Sequence, residues 1–221
     1  MNLLEFITST PAPGAGAGRI YGVVIGLVTN NQDPDNLGRV KVRFPWLTDT
    51  DESYWARVAT LMAGNERGSF FLPEVDDEVL VAFEHGNVQL PYVIGALWNG
   101  VDTAPRNNAD GRNNVRVIRS RSGHELIFND DADARGEQVE IHTKAGHRIL
   151  LDDSAGQEKI TIADKTGSNT IEIDSVQNAM TISAQMKLSL KAQMIEIEAG
   201  TMMTMKAGAT LTIQGALVRI N

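Results

Sequence analysis

Apolar and polar residues alternate with a short period near the C-terminus of this chain. Residues 180–220 hold six copies of the phrase apolar, polar, apolar, polar, small, the last cut short, and their first positions are spaced by 8, 7, 8, 8 and 7 residues. Residues i and i+2 of a strand face the same side, so the two apolar residues of each copy share a face. A strand of about three residues cannot enclose a core alone. The repeat therefore predicts a β-structure built from several chains.

Three chains wound around one axis would supply three sides of a core and would pair the strand edges that invite aggregation. We predict a trimeric, intertwined triangular β-prism (β-helix) in which the residue between the two apolar ones faces water. The predicted trimer core is Ile160, Ile162, Ile171, Ile173, Met180, Ile182, Leu188, Leu190, Ile195, Ile197, Met203, Met205, Leu211, Ile213, Val218 and Ile220. The predicted small corner positions are Ala184, Ala192, Ala199, Ala207 and Gly215.

The first half of the chain has a different pattern, with short β-rich runs separated by turn residues. The runs cover residues 20–28, 39–44, 78–83 and 91–97, and Val40, Val42 and Phe44 alternate with polar residues. Several short strands in about 80 residues predict a small barrel. No pattern predicts a helix longer than a turn or two. The fold class is therefore all-β throughout.

Proline and aromatic residues mark the domain boundary. All seven prolines lie at or before Pro105, and Phe128 is the last aromatic residue. Small aliphatic residues can fill a repetitive array without aromatic bulk. The predicted domains are a flexible N-terminal arm (1–18), a barrel (19–99), a linker of loop composition (100–114) and the trimeric spike (115–221).

Composition excludes several classes of function. The net charge of -8 argues against a nucleic-acid partner. The sequence contains no run of 18 apolar residues, which is about the length that a membrane-spanning helix needs. The absence of cysteine excludes disulfides and thiolate chemistry. The N-terminus lacks the basic and long apolar regions of a signal peptide, so we expect synthesis in the cytoplasm without one.

Three groups of residues are candidates for chemistry, and a structural role is favoured for each. Residues 33–38 begin like a calcium loop, but Phe44 stands where the twelfth-position Glu belongs, so a turn is predicted. His124 and His147 share the parity of the apolar residues that follow them, and packed histidines are favoured over an axial ion site. Turn positions also favour local hydrogen bonding over glycosidase catalysis for Asp130, Asp131, Asp133, Asp152 and Asp153. We predict no catalytic residue, metal or cofactor.

Several motifs in the barrel segment together resemble one protein family. They are Asp33-Pro-Asp-Asn-Leu-Gly-Arg-Val-Lys-Val-Arg-Phe-Pro-Trp46, Tyr54-Trp-Ala-Arg-Val58, Gly68-Ser-Phe-Phe-Leu-Pro73, Asp77-Glu-Val-Leu-Val-Ala-Phe83 and Pro91-Tyr-Val-Ile-Gly-Ala-Leu-Trp-Asn-Gly100. This segment resembles the OB-fold of the baseplate spike proteins of contractile injection systems, namely phage baseplate assembly protein V and VgrG. Residues 146–165 resemble the start of the spike in that family.

The resemblance implies a structural, non-enzymatic spike at the tip of a phage tail, a type VI secretion system or an extracellular injection device. It implies a homotrimer that docks on a hub protein and is pushed through a target membrane, so the protein would end up in a virion or a secreted particle. Because few residues precede the barrel, we expect the hub to be a separate protein. We also expect a PAAR-repeat protein to cap the tip at Val218, Arg219, Ile220 and Asn221. A His-x-His iron site is not expected there, since His147 is the last histidine.

Three other functions remain open at this stage. A receptor-binding tail fibre or adhesin would use side chains at the tip, although aromatic residues are missing there. A β-helical polysaccharide hydrolase would use the turn carboxylates. An oligonucleotide-binding OB protein is opposed by the acidic balance of the chain.

Overall fold

The computed structural model describes residues 19–47, 51–133 and 136–220 of the chain. The predicted arm, residues 1–18, and Asn221 lie outside the described residues. The chain divides into two compact units between Ala109 and Asp110. This division falls inside the predicted linker, and the domain bounds themselves remain a prediction.

The first unit is a closed five-stranded barrel. Its strands are β1 (Val23–Asn30), β2 (Lys41–Arg43), β3 (Arg57–Val58), β6 (Glu78–Phe83) and β7 (Pro91–Ala96), in the order β2-β1-β6-β7-β3. A two-stranded hairpin of β4 (Ala63–Gly64) and β5 (Arg67–Gly68) and a 3₁₀ turn (Glu84–Gly86) complete the unit.

Hydrogen bonds between Val40 and Ala56 close the barrel between its first and last strands. The Val40 amide donates to the Ala56 carbonyl at 3.0 Å, and the Ala56 amide donates back at 2.7 Å. Further along the chain from Ala56, β3 pairs with β7 in parallel, whereas the other pairs in this sheet are antiparallel. The resulting ring of five strands has the architecture of an OB-fold.

The barrel interior is filled by small aliphatic residues and two phenylalanines. Val40, Val42 and Phe44 are all buried, which confirms the face predicted from their alternation. The rest of this core comprises Val28, Ala56, Val79, Val81, Phe83 and Val93. Fully burying one such side chain stabilises a fold by about 1.5–3 kcal/mol, so this core stabilises the folded barrel.

The second unit contains one seven-stranded antiparallel sheet whose strands follow chain order, each joined to the next by a turn. We call this sheet the ladder. Its strands are β8 (Val115–Arg119), β9 (Glu125–Asn129), β10 (Gln138–His142), β11 (Arg148–Asp152), β12 (Lys159–Ala163), β13 (Thr170–Asp174) and β14 (Ala179–Ser183). The sequence pattern also predicts strands at residues 124–130, 138–143, 147–153, 159–162 and 170–174, which β9 to β13 confirm, and the first copy of the tight repeat forms β14. The sequence reading did not include β8.

Residues 184–220 differ from the expected short strands. Within the described part of the chain these residues contain no assigned strand, and almost all of them are exposed. A backbone segment of this kind needs a neighbouring strand to complete its hydrogen bonds. From Ala184 onward the tight repeat therefore has no strand partner among the described residues of its own chain, and its strands there remain a prediction for the assembled protein.

Candidate functional site

The register of the ladder collects apolar residues on one face. Residues directly opposite each other in an antiparallel pair lie on the same face. Ile162 pairs with Ile171, which pairs in turn with Ile182. The same pairing continues through all seven strands. This apolar face consists of Ile118, Leu126, Phe128, Val139, Ile141, Ile149, Leu151, Ile160, Ile162, Ile171, Ile173, Met180 and Ile182, with Arg116 at its first strand.

The opposite face of the same strands is mostly polar. Thr161 pairs with Glu172, and Glu172 pairs with Thr181. Leu150 is buried on this polar face at 5% exposure, and Ile127 lies two strands away in the same row. The two faces therefore have opposite chemistry from β9 to β14, as the parity of the sequence predicted.

The apolar face is uncovered within the single chain. Leu126 and Val139 are half-buried, and the other apolar residues of the face range in exposure from 36% at Ile171 to 64% at Met180. A contiguous apolar surface of this extent marks an interaction site in a folded protein, because leaving it in water is costly. The face is accordingly the candidate functional site, and the chemistry it offers is association with another apolar surface.

The start of the tight repeat joins this surface. Leu188 lines the same open groove as Ile149, Ile162, Ile171 and Ile182. Ala184, the first predicted corner, is half-buried directly after β14. The other predicted core and corner residues, from Leu188 to Ile220, lie in the segments without strand pairing, and their place in a trimer core remains a prediction.

A row of charged side chains crosses four strands on the polar face. Arg119 lies opposite Glu125, Glu125 opposite His142, and His142 opposite Arg148. Glu125 is 7% exposed; it forms an ion pair with Arg119 at 3.2 Å and lies 3.6 Å from the His142 ring. Glu140 completes the row with an ion pair to Arg148 at 2.9 Å. A buried carboxylate needs such partners, so the row fixes the first four strands in register.

The two candidate histidines act as acceptors between neighbouring turns. The Nδ1 atom of His124 accepts the Lys144 amide at 3.3 Å, and the Nδ1 atom of His147 accepts the Lys165 amide at 3.3 Å. These bonds give each ring a structural role in holding neighbouring turns together, although both rings are exposed in the single chain. No cluster of three or more His, Asp or Glu side chains in the described ranges could hold a metal ion.

An internal ion pair closes the loop between β1 and β2. Arg39 binds Asp33 through two nitrogens, at 2.7 and 2.8 Å, and reaches Asp35 at 2.5 Å. Asp33 also accepts the amides of Asp35, Leu37 and Arg39. The Arg39 guanidinium, followed by these amides, holds the pKa of Asp33 well below its usual range. The turn predicted for residues 33–38 is confirmed.

The turn carboxylates considered for glycosidase chemistry have local partners. Asp130 is ion-paired with Arg116, and Asp133 lies 3.5 Å from Arg112. Asp152 accepts the Ser154 amide at 2.9 Å. Asp130 and Asp133 lie in the turn after β9, and Asp152 ends β11 at the same edge of the ladder, where their bonds organise the backbone.

The barrel matches a known protein family. Residues 24–98 match the type VI secretion system/phage-baseplate injector OB domain. The barrel belongs to this injector OB family. The match covers strands β1 to β7 and includes the core valines and phenylalanines.

Over about half of its length the chain is also similar to VgrG spike proteins. The type VI secretion system spike protein VgrG3 of Vibrio cholerae is 34% identical over 122 residues, which is 51% of this chain and 12% of that protein. The spike protein VgrG1c of Pseudomonas aeruginosa is 34% identical over 103 residues, 45% of this chain and 14% of that protein. The chain thus spans a small part of the length of these relatives.

One relative carries a different name. The actin cross-linking toxin VgrG1 of Vibrio cholerae is 27% identical over 117 residues, 51% of this chain and 11% of that protein. VgrG3 and VgrG1c are both named as spike proteins. No helix in the described part of the chain has the length and apolar character needed to cross a bilayer.

Proposed function

We propose that this protein is the structural, membrane-puncturing spike of a contractile injection apparatus, and that it works as a homotrimer. The observation that carries the proposal is the uncovered apolar face of the ladder, in a chain whose barrel belongs to the injector OB family. The relatives named as spike proteins support the same function.

Three copies of the chain would bury what one copy leaves exposed. Three ladders arranged around one axis, apolar faces inward, form a dry core of isoleucine, leucine and methionine. Below the ladder, the tight repeat would pair between chains, because its apolar positions continue with the same parity from Leu188 to Ile220. Close packing without large voids gives such a rod its stiffness.

Stiffness and a narrow tip are what puncture requires. Residues 179–221 carry two acidic and four basic residues, whereas residues 122–178 carry twelve acidic and five basic ones. The far end of the rod is therefore not repelled by an acidic membrane surface. A contraction force transmitted to the trimer would be concentrated on this narrow tip.

The injector OB domains would dock on a trimeric hub. Their surface offers exposed apolar side chains near the β4–β5 hairpin, with Leu61 95%, Phe70 78% and Phe71 68% exposed. Aromatic side chains of this kind anchor protein interfaces. At the opposite end of the chain, Val218, Arg219 and Ile220 are exposed and would contact a PAAR-repeat tip protein.

A truncation separates assembly from puncture. A chain ending at Asn178 keeps the barrel and the first six strands of the ladder, so it should still join the apparatus at the hub. It should abolish injection into target cells, measured as loss of target-cell killing or cargo delivery, because the narrow rod is missing. A full-length variant with Thr204→Lys, an outer-face position of the repeat, is the control and should inject normally. Normal injection by the truncated chain would contradict the puncture mechanism.

A further inference from the structure

The turns of the ladder lie alternately along its two edges. The turns after β8, β10 and β12, residues 120–124, 143–147 and 164–169, lie at one edge, and the segment 184–187 follows β14 at the same edge. The turns after β9, β11 and β13, residues 130–137, 153–158 and 175–178, lie at the other. The up-and-down connection of the strands therefore fixes the edge of the ladder at which each turn lies.

The first edge is basic. The turns and the following segment along it carry Arg121, Lys144, Lys165 and Lys187 against the single carboxylate of Asp164. Lys144, Lys165 and Lys187 are exposed, and among the described residues neither Lys144 nor Lys165 forms an ion pair.

Hydrogen bonds stack the turns of this basic edge in a column. His124 accepts the Lys144 amide, His147 accepts the Lys165 amide, and the Asn169 side-chain oxygen accepts the Gln185 amide at 3.1 Å. Each bond joins one turn to the next turn along the edge. The column therefore holds its cations at regular heights and presents them to the same side.

The second edge is acidic. Its turns carry Asp130, Asp131, Asp133, Glu137, Asp153 and Glu158, with Arg135 as the one cation in their sequence. Arg112 and Arg116 partly neutralise its upper turn. Asp153 is exposed in the next turn, and Glu158 is half-buried there. The amides of Glu158 itself and of Gly156 lower the pKa of the Glu158 carboxyl.

Rotational symmetry decides which edges meet. When identical ladders are related by rotation about an axis parallel to the stacking direction, one edge of each chain faces the other edge of its neighbour. Association of two ladders in opposite directions, by a two-fold axis along the strands, would instead bring like edges together. The acidic turn 153–158 lies between the basic turns 143–147 and 164–169 in height, offset by about one strand spacing of ~4.8 Å.

We propose that the basic edge of one chain docks against the acidic edge of the next, so that edge charge selects the parallel, in-register trimer over antiparallel association. The inference rests on the proposed trimer and adds the surface that orients it. Complementary charge mainly accelerates correct association and disfavours wrong arrangements, whereas the apolar face supplies the affinity.

The experiment measures the rate at which trimer reforms after unfolded full-length chains are diluted from denaturant, followed by native mass spectrometry. The double variant Lys144→Glu/Lys165→Glu should reform trimer about tenfold more slowly than the wild type at low salt. The difference should shrink as salt is raised to about 0.5 M, because screening weakens exposed charges. The matched control, Lys191→Glu/Lys206→Glu, makes the same charge change away from the edge turns and should reform trimer at the wild-type rate.

A variant with exchanged charges distinguishes loss of charge pairing from misfolding as the cause of slow trimer formation. The fourfold variant Lys144→Glu/Lys165→Glu/Asp153→Lys/Glu158→Lys exchanges the charges of the turns that would face each other and should recover most of the lost rate. If the double variant matches its control, or the exchange restores nothing, the edge pairing is overturned while the trimer stands. If the wild type forms no trimer under any condition, the proposed function itself fails.

Discussion

Ile182→Lys is expected to abolish assembly of the spike. Ile182 lies on the apolar face, where it pairs with Ile171 and is 50% exposed in the single chain. In a trimer the substitution would bring three ammonium groups into the dry core without partners. Each unpaired buried charge costs several kcal/mol, so no trimer should be detectable at micromolar concentration by native mass spectrometry.

The neighbouring residue is the matched control for that variant. Thr181 lies on the polar face opposite Glu172, so Thr181→Lys adds the same side chain one position away. A surface change of this type alters stability by about 0.5 kcal/mol or less. Thr181→Lys should therefore assemble as the wild type does. Equal assembly by both lysine variants would show that the two faces are not distinguished, and the parity of the ladder would be wrong.

Gly26→Ala is expected to destabilise the injector OB domain strongly. A methyl group at Gly26 would lie 2.2 Å from a methyl carbon of Val42, which is fully buried, and 3.2 Å from both the Arg43 carbonyl oxygen and the Phe44 ring. Overpacking a core costs about 1–3 kcal/mol. For a domain of this size the midpoint of thermal unfolding should fall by roughly 5–20 °C, measured by scanning calorimetry.

Gly22 provides the control, because it lies one residue before β1 with nothing within 4 Å of an added methyl group. Gly22→Ala should leave the midpoint within a degree or two, as a substitution that meets open space changes stability little. A Gly26→Ala variant as stable as Gly22→Ala would mean that β1 and β2 do not pack as closely as described.

Much of this architecture could be predicted from alternation alone. Val40, Val42 and Phe44 alternate with polar residues and line the barrel core, and the isoleucines of β12 and β13 alternate and share one face. Alternation predicts these faces because every second residue of a strand points to the same side, so a face that is buried on one side requires an apolar residue at every second position.

The parts that the sequence did not predict depend on contacts between distant residues. β8 was missed because Val115 and Val117 lie on the polar face while Arg116 lies on the apolar one, which inverts the usual alternation. The Arg119–Glu125–His142–Arg148 row depends on the register of three strand pairs, which turn geometry sets. Listing the residue pairs that a regular hairpin register implies would have revealed it.

For the tight repeat, the sequence predicts which residues share a face but not which strand pairs with them. Its alternation is the clearest in the chain, yet residues 184–220 form no ladder within the described single chain. Periodicity identifies which residues share a face, and it does not supply the strand that pairs with them. That partner has to come from another molecule, which is why the single chain leaves both the ladder face and the repeat uncovered.

We expect this chain to reach its working state only as a trimer. The most direct measurement is the native mass of the purified full-length protein by native mass spectrometry or light scattering. We expect a stable species at three times the 24.0 kDa chain mass that persists on dilution to nanomolar concentration. A well-folded monomer of 24.0 kDa would contradict the account, because the apolar face would then have to be covered by the chain itself.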